Sequence, residues 1–338
     1  MAGYLTGGRR THPVRTVVLL LLATVVLGGL VEAQEADAMT VATASRIELL
    51  STWETQGTPV FGLVFSPDGS RLFGAHGGNV TVWDPASGAQ LTSWYAHSGY
   101  AAAIDVSPDG ELLATAGADA AVRIWDADTG SPVRAVSPAG TDSVAFSRDG
   151  SLLASADHDG TLHVWRTEDW QRVNEIDMGN GAFSVAFSTD DESIVTAHGL
   201  PDFAVRAWSV ESGELLWESL AHEGDAHGAA FSADGAIVAS IGGDRLVVLH
   251  DATTGEDLRT LRIHSQPLFS LTYIGTELLA TGDGGGRIAI WDVQAGRFLS
   301  FLDGHHSNVT TLAISPDGTR LASASFDMEI RLWGVPGA

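Results

Sequence analysis

Val122-Arg123-Ile124-Trp125-Asp126 decides the fold, because its pattern returns six more times. An apolar residue, any residue, a second apolar residue and tryptophan stand at Val80-x-Val82-Trp83, Val122-x-Ile124-Trp125, Leu162-x-Val164-Trp165, Val205-x-Ala207-Trp208, Ile288-x-Ile290-Trp291 and Ile330-x-Leu332-Trp333. The remaining copy, Val247-x-Leu249-His250, has histidine in place of tryptophan. Successive spacings are 42, 40, 43, 42, 41 and 42 residues. Such a period marks one supersecondary unit used seven times.

A second motif precedes most copies by 15–18 residues. It reads Ser66-Pro67-Asp68-Gly69, Ser107-Pro108-Asp109-Gly110, Ser147-Arg148-Asp149-Gly150, Ser188-Thr189-Asp190-Asp191, Ser232-Ala233-Asp234-Gly235 and Ser315-Pro316-Asp317-Gly318. Proline presets φ, aspartate bonds its own backbone and glycine accepts φ > 0, which is turn chemistry. Apolar runs flank it, as Val64-Phe65 before and Leu72-Phe73 after, so it reads as a hairpin. A further turn, Asp126-x-x-x-Gly130 and its equivalents, follows the tryptophan. Each repeat therefore gives four short strands.

These residues resemble the WD-repeat (WD40) β-propeller family, whose signature Trp-Asp pair stands here at 83–84, 125–126 and 291–292. The resemblance covers residues 44–338 and implies an all-β fold, a seven-bladed propeller of four-stranded antiparallel blades. The chain ends five residues past Trp333, so the last blade needs an outer strand from elsewhere. Residues 46–54, which match the outer strand Ala89–Trp94, are expected to close the ring.

The resemblance also implies a hydrogen-bonded chain of histidine, Ser or Thr, aspartate and tryptophan within a blade. Three sets fit, each with offsets of 18, 22 and 28 from the histidine: His97, Thr115, Asp119, Trp125; His305, Ser323, Asp327, Trp333; and His222, Ser240, Asp244, His250. Ser, His and Asp also compose a catalytic triad. A set repeated in several blades, however, reads as structure, because buried polar groups must find partners. Other blades depart. The third has Ser155, Asp159 and Trp165 but Ser137 at the histidine position. The fourth has Thr196, Asp202 and Trp208 with Met178 there. The first and sixth have Gly77 and Gly285 at the turn, and such blades are expected to be less rigid.

In this family the face bearing the turns between second and third strands often binds peptides. On that resemblance His76, His158, Phe203 and Phe326, which flank those turns, and Tyr100 are the candidate contacts. No catalytic residue, metal site or cofactor is expected. His305-His306 and His222 with His227 lack an acidic cluster at ligand spacing. Asp157-His158-Asp159 alternates across a strand. Gly282-Asp283-Gly284-Gly285-Gly286 lacks the lysine and helix of a phosphate loop and reads as a flexible turn.

The 338 residues carry 42 acids and 18 bases, a net charge of −24. That disfavours nucleic acid, which needs a basic face, and favours basic partners. The absence of cysteine excludes disulfides, Cys-ligated metal and a cysteine nucleophile. Residues 1–16 hold Arg9, Arg10 and Arg15, an apolar run spans Val17–Val31, and Val31-Glu32-Ala33 offers a small-x-small site. Residues 1–33 thus read as a secretory signal peptide, or as an uncleaved anchor, and 34–43 as a linker. Without residues 1–33 the charge is −26. The expectation is an exported, monomeric, non-catalytic scaffold that binds a protein or peptide and, once cleaved, spans no membrane. Two alternatives are an exported propeller enzyme (a lactonase-like hydrolase or quinone-dependent oxidoreductase) and a small-ligand or cation binder.

Overall fold

The computed structural model describes residues 37–55, 57–136 and 141–337. The expected signal peptide, its cleavage site and Ser137 lie outside them. The described strands form seven separate four-stranded antiparallel sheets. Six are built from consecutive strands, such as Val60–Phe65, Leu72–His76, Asn79–Trp83 and Gln90–Tyr95. The seventh is closed by the N-terminal strand Glu48–Glu54, which pairs antiparallel with Glu329–Gly334, Trp53 opposite Ile330. The chain is therefore an all-β, seven-bladed propeller. Closure removes two free sheet edges, which would otherwise pair with other chains.

The core lies between the blades. Each hydrophobic cluster joins two neighbours: Val60, Leu63 and Trp83 of the first blade meet Ala322, Ile330 and Leu332 of the seventh. The next cluster joins Phe73, Val80 and Val82 to Ile104, Leu113 and Trp125. The repeating tryptophans are thus seam residues, and truncating one to alanine costs roughly 3–5 kcal/mol.

Residues 37–43 correct the expectation of a linker. The Asp37 N–H donates to Val335 O at 3.2 Å and the Met39 N–H to Gly318 O at 3.3 Å. Met39 is buried with Ala44, Ile47 and Val335. The Thr43 hydroxyl donates to Ala38 O at 2.9 Å and accepts the Thr40 N–H at 2.9 Å, folding the stretch back on itself. Met39, with Val41 packed beside it, and two backbone bonds fasten a short segment otherwise made of Ala, Thr and Asp.

Every inner strand carries the same irregularity. Its pairing with the second strand slips between first and third residues, as at Val60/Gly62, Ala182/Ser184, Ala226/Gly228 and Leu268/Ser270. Such a bulge leaves the second residue out of the ladder and re-aims it. Phe61, Phe183, His227 and Phe269 occupy that place, on the face where second strands turn into third strands.

Candidate partner-binding face

Beneath that face run the buried networks. In the second blade His97 Nδ1 lies 2.8 Å from Asp119 Oδ1 and Nε2 2.8 Å from Thr115 Oγ1. Trp125 Nε1 donates to the same hydroxyl at 2.9 Å. Burial opposes the Asp119 charge, but Arg123, His97 and the Ser98 N–H outweigh it and hold the carboxyl well below its ordinary range. Burial pushes His97 down, so its ring is neutral at pH 7. The seventh blade repeats the pattern: His305 contacts Asp327 at 2.9 Å and Ser323 at 2.8 Å, and Trp333 donates to Ser323 at 2.8 Å. In the fifth, His222 lies 3.0 Å from Asp244 and 2.8 Å from Ser240. His250 takes the tryptophan's part there, 2.8 Å from Ser240, and its other nitrogen meets Asp257 at 2.8 Å.

The remaining blades differ from the sequence expectation. The sixth carries a complete chain: His264 contacts Asp283 at 2.8 Å and Thr281 at 2.9 Å, and Trp291 donates to Thr281 at 2.8 Å. Its carboxylate comes from the end of the second strand, so Gly285 in the turn does not leave this blade without a network. In the first blade His76 bridges Thr58 at 2.7 Å and Thr81 at 2.6 Å. His76 is buried, and this corrects its place among the candidate contacts. In the third, Asp159 is exposed; the buried Asp157 meets His163 at 3.2 Å instead. In the fourth, Asp202 pairs with Arg206, which also holds Glu218 at 2.8 Å and Asn180 at 2.8 Å, while Met178 is buried.

Among the described residues, His305, Asp327 and Glu329 lie close enough together to hold a metal. His305 already uses both nitrogens, and Glu329 accepts from Arg331 at 2.6 Å. The set is accounted for as structure.

The two ends of the ring differ chemically. Among the described residues, half of the sixteen exposed large apolar side chains stand on the face of the second-to-third-strand turns, Tyr95, Tyr100, Leu200 and Phe326 among them. The others lie on the outer strands around the rim. The opposite end presents the Ser-x-Asp turns, whose carboxylates serve the turns themselves. Asp68, for example, accepts from Ser66 Oγ at 2.6 Å and the Ser70 N–H at 3.0 Å, which brings its pKa down to about 2.

Two groups of rings mark the apolar face. Phe61 lies 5.7 Å from both Tyr100 and Phe326, linking the second, first and seventh blades. Phe183 meets His227 edge-on at 5.7 Å, and His227 stacks on Phe269 at 4.9 Å. Tyr100 and Phe326 are exposed by 44 % and 42 %, His158 is exposed and Phe203 half-buried. The turn position after the aspartate adopts positive φ. Glycine fills it at Gly160 and Gly286, but Phe203 at φ 54° and Met328 at φ 68° do not have that freedom. Bulky residues held there put side chains on this face at a cost in backbone strain.

The WD40 family model (WD domain, G-beta repeat) matches residues 47–84, 88–126, 130–166 and 296–334. The chain is a WD40-repeat β-propeller. Over 289 residues, 81 % of the chain, it is 26 % identical to WD repeat-containing protein 90 of Mus musculus, covering 13 % of that protein. It is 25 % identical over 80 % of its length to Autophagy-related protein 16 of Arabidopsis thaliana, covering 55 % of it. A 157-residue stretch, 45 % of the chain, is 31 % identical to the Periodic tryptophan protein 2 homolog of Dictyostelium discoideum, covering 17 % of it. The WD40 propeller thus spans about half or less of these relatives.

Proposed function

We propose that this WD40 propeller is a non-catalytic scaffold, monomeric and exported, that binds a protein partner on the face of the second-to-third-strand turns. The segregation of exposed aromatics to that face carries the reading. Aromatic anchors are enriched in interfaces, and the opposite end is polar. The burial and repetition of the His–Ser/Thr–Asp sets support a structural rather than a catalytic use. WD-repeat relatives of this kind support the same class. The acidic balance favours a basic partner surface over nucleic acid. Export rests on the arginines, apolar run and small-x-small site of residues 1–33. The test is affinity capture with Tyr100→Ala/Phe326→Ala beside the unaltered protein. Loss of partners at unchanged melting temperature is expected; an unchanged set of partners would refute the face. Export predicts recovery outside the cytoplasm of a chain starting near residue 34.

A further inference from the structure

A groove of about 270 Å³ opens on the same face between the third, fourth and fifth blades, lined by His158, Ala182, Phe183, Leu200 and Asp225. It falls just short of the roughly 300–1,000 Å³ of small-molecule sites, a size suited to one side chain. Phe183 is 41 % and Leu200 74 % exposed, so its walls are apolar and open. Asp225 is half-buried. Among the described residues no donor stands within hydrogen-bond or ion-pair distance of its carboxylate. Arg206, on the third strand of the fourth blade, is taken by Asp202, Glu218 and Asn180.

The carboxylate and the ring converge over a bare glycine. A Cβ on Gly199 would stand 2.8 Å from Phe183 Cε2 and 3.1 Å from Asp225 Oδ1. An apolar wall beside an unpaired carboxylate matches a side chain with an aliphatic stem and a cationic tip. The stem would lie on Leu200 and Phe183, the tip would meet Asp225, and the ring quadrupole would add to the attraction. An anionic side chain would be repelled, and a purely apolar one would bury the carboxylate without compensation. From Phe183 the row of rings runs on through His227 to Phe269, across the starts of the inner strands of the fifth and sixth blades. Resting on the reading of this face as the binding face, we infer that the groove seats one arginine or lysine side chain of a protein partner.

The test selects a displayed random heptapeptide library on the immobilised full chain and measures the winners by fluorescence anisotropy. Enrichment of arginine or lysine is expected. Asp225→Asn should weaken those peptides roughly 10-fold or more, as should norleucine in place of the basic residue. The two changes together should cost no more than either alone, as for one shared contact. Gly199→Ala, which displaces Phe183, should weaken binding similarly. Melting temperatures of the variants separate loss of the groove from loss of fold. Failure to enrich basic peptides overturns the inference, as does indifference of the winners to Asp225→Asn. Winners lost in Tyr100→Ala/Phe326→Ala but indifferent to Asp225→Asn overturn it and leave the face reading standing. Winners indifferent to both overturn the two together.

Discussion

Replacing His198 by glutamine should flatten the acid side of the propeller's stability profile. The ring is fully buried in the fourth blade. Nε2 lies 2.8 Å from Thr196 Oγ1, and Nδ1 lies 3.2 Å from the carbonyls of Asn180 and Gly181. The neutral ring fits, donating from Nδ1 and accepting at Nε2. A second proton would point a donor at a hydroxyl that already accepts the Trp208 N–H at 2.9 Å. Burial first, and then the Arg206 charge, push the pKa down to about 4; the two carbonyls and Asp202 oppose them. The unfolded chain titrates near 6.5. Above pH 6.5 both states are neutral and the residue adds no pH dependence. Between 6.5 and 4 the unfolded state binds the proton and the native state does not, so stability falls with pH. By pH 4.5 the loss from this residue is about 2–3 kcal/mol. Burial lowers His76, His97, His250 and His305 in the same direction. Urea unfolding at pH 8 and 4.5 would measure it. The variant starts from lower stability at pH 8, but should lose about 2–3 kcal/mol less between the two pH values. Equal losses in the two proteins would refute the buried neutral histidine.

Other perturbations test the networks and the closure. Asp283→Ala should destabilise the sixth blade by roughly 1–3 kcal/mol, by stranding His264, whereas Asp159→Ala should change stability by less than about 0.5 kcal/mol; thermal melts of the pair distinguish them, and equal costs would contradict the reassignment. Asp105, on an inner strand, accepts the Phe146 N–H at 2.7 Å, and its burial raises the carboxyl to about 6. A raised carboxylate pKa costs stability as pH rises from the unfolded value of 3.8 through about 6. In thermal melts the unaltered protein should therefore lose stability between pH 4 and 8 relative to Asp105→Asn, whatever the variant's absolute stability after losing one of the two acceptors of the Val106 and Phe146 N–H groups. Deleting residues 48–54 exposes the edge of Glu329–Gly334 and should give aggregates in size-exclusion chromatography; a stable monomer would contradict the closure.

The fold was legible because a seven-fold period leaves little choice of architecture, and because Pro-Asp-Gly turns place the hairpins. The networks of the second, fifth and seventh blades were legible from fixed offsets. The sixth was missed because its carboxylate arrives two positions early, from the strand end, within a glycine-rich run that read as loose. His76 was misplaced for a related reason: a residue beside a turn can point inward as well as outward. Residues 37–43 were missed because only Met39 and Val41 carry the packing of a short Ala- and Thr-rich stretch. Phe61, Phe183, His227 and Phe269 were missed because a bulge reverses the side-chain alternation that sequence reading assumes. Their recurrence as second residue of the first, fourth, fifth and sixth inner strands was the available signal.

On the proposed reading, the aromatic face carries the partner. A photo-crosslinking residue placed at Tyr100, and in a separate protein at Asp149 on the opposite end, tests it directly in the native host. Adducts with a defined protein at Tyr100 and none at Asp149 are expected. Adducts confined to Asp149, or equal at both, would contradict it.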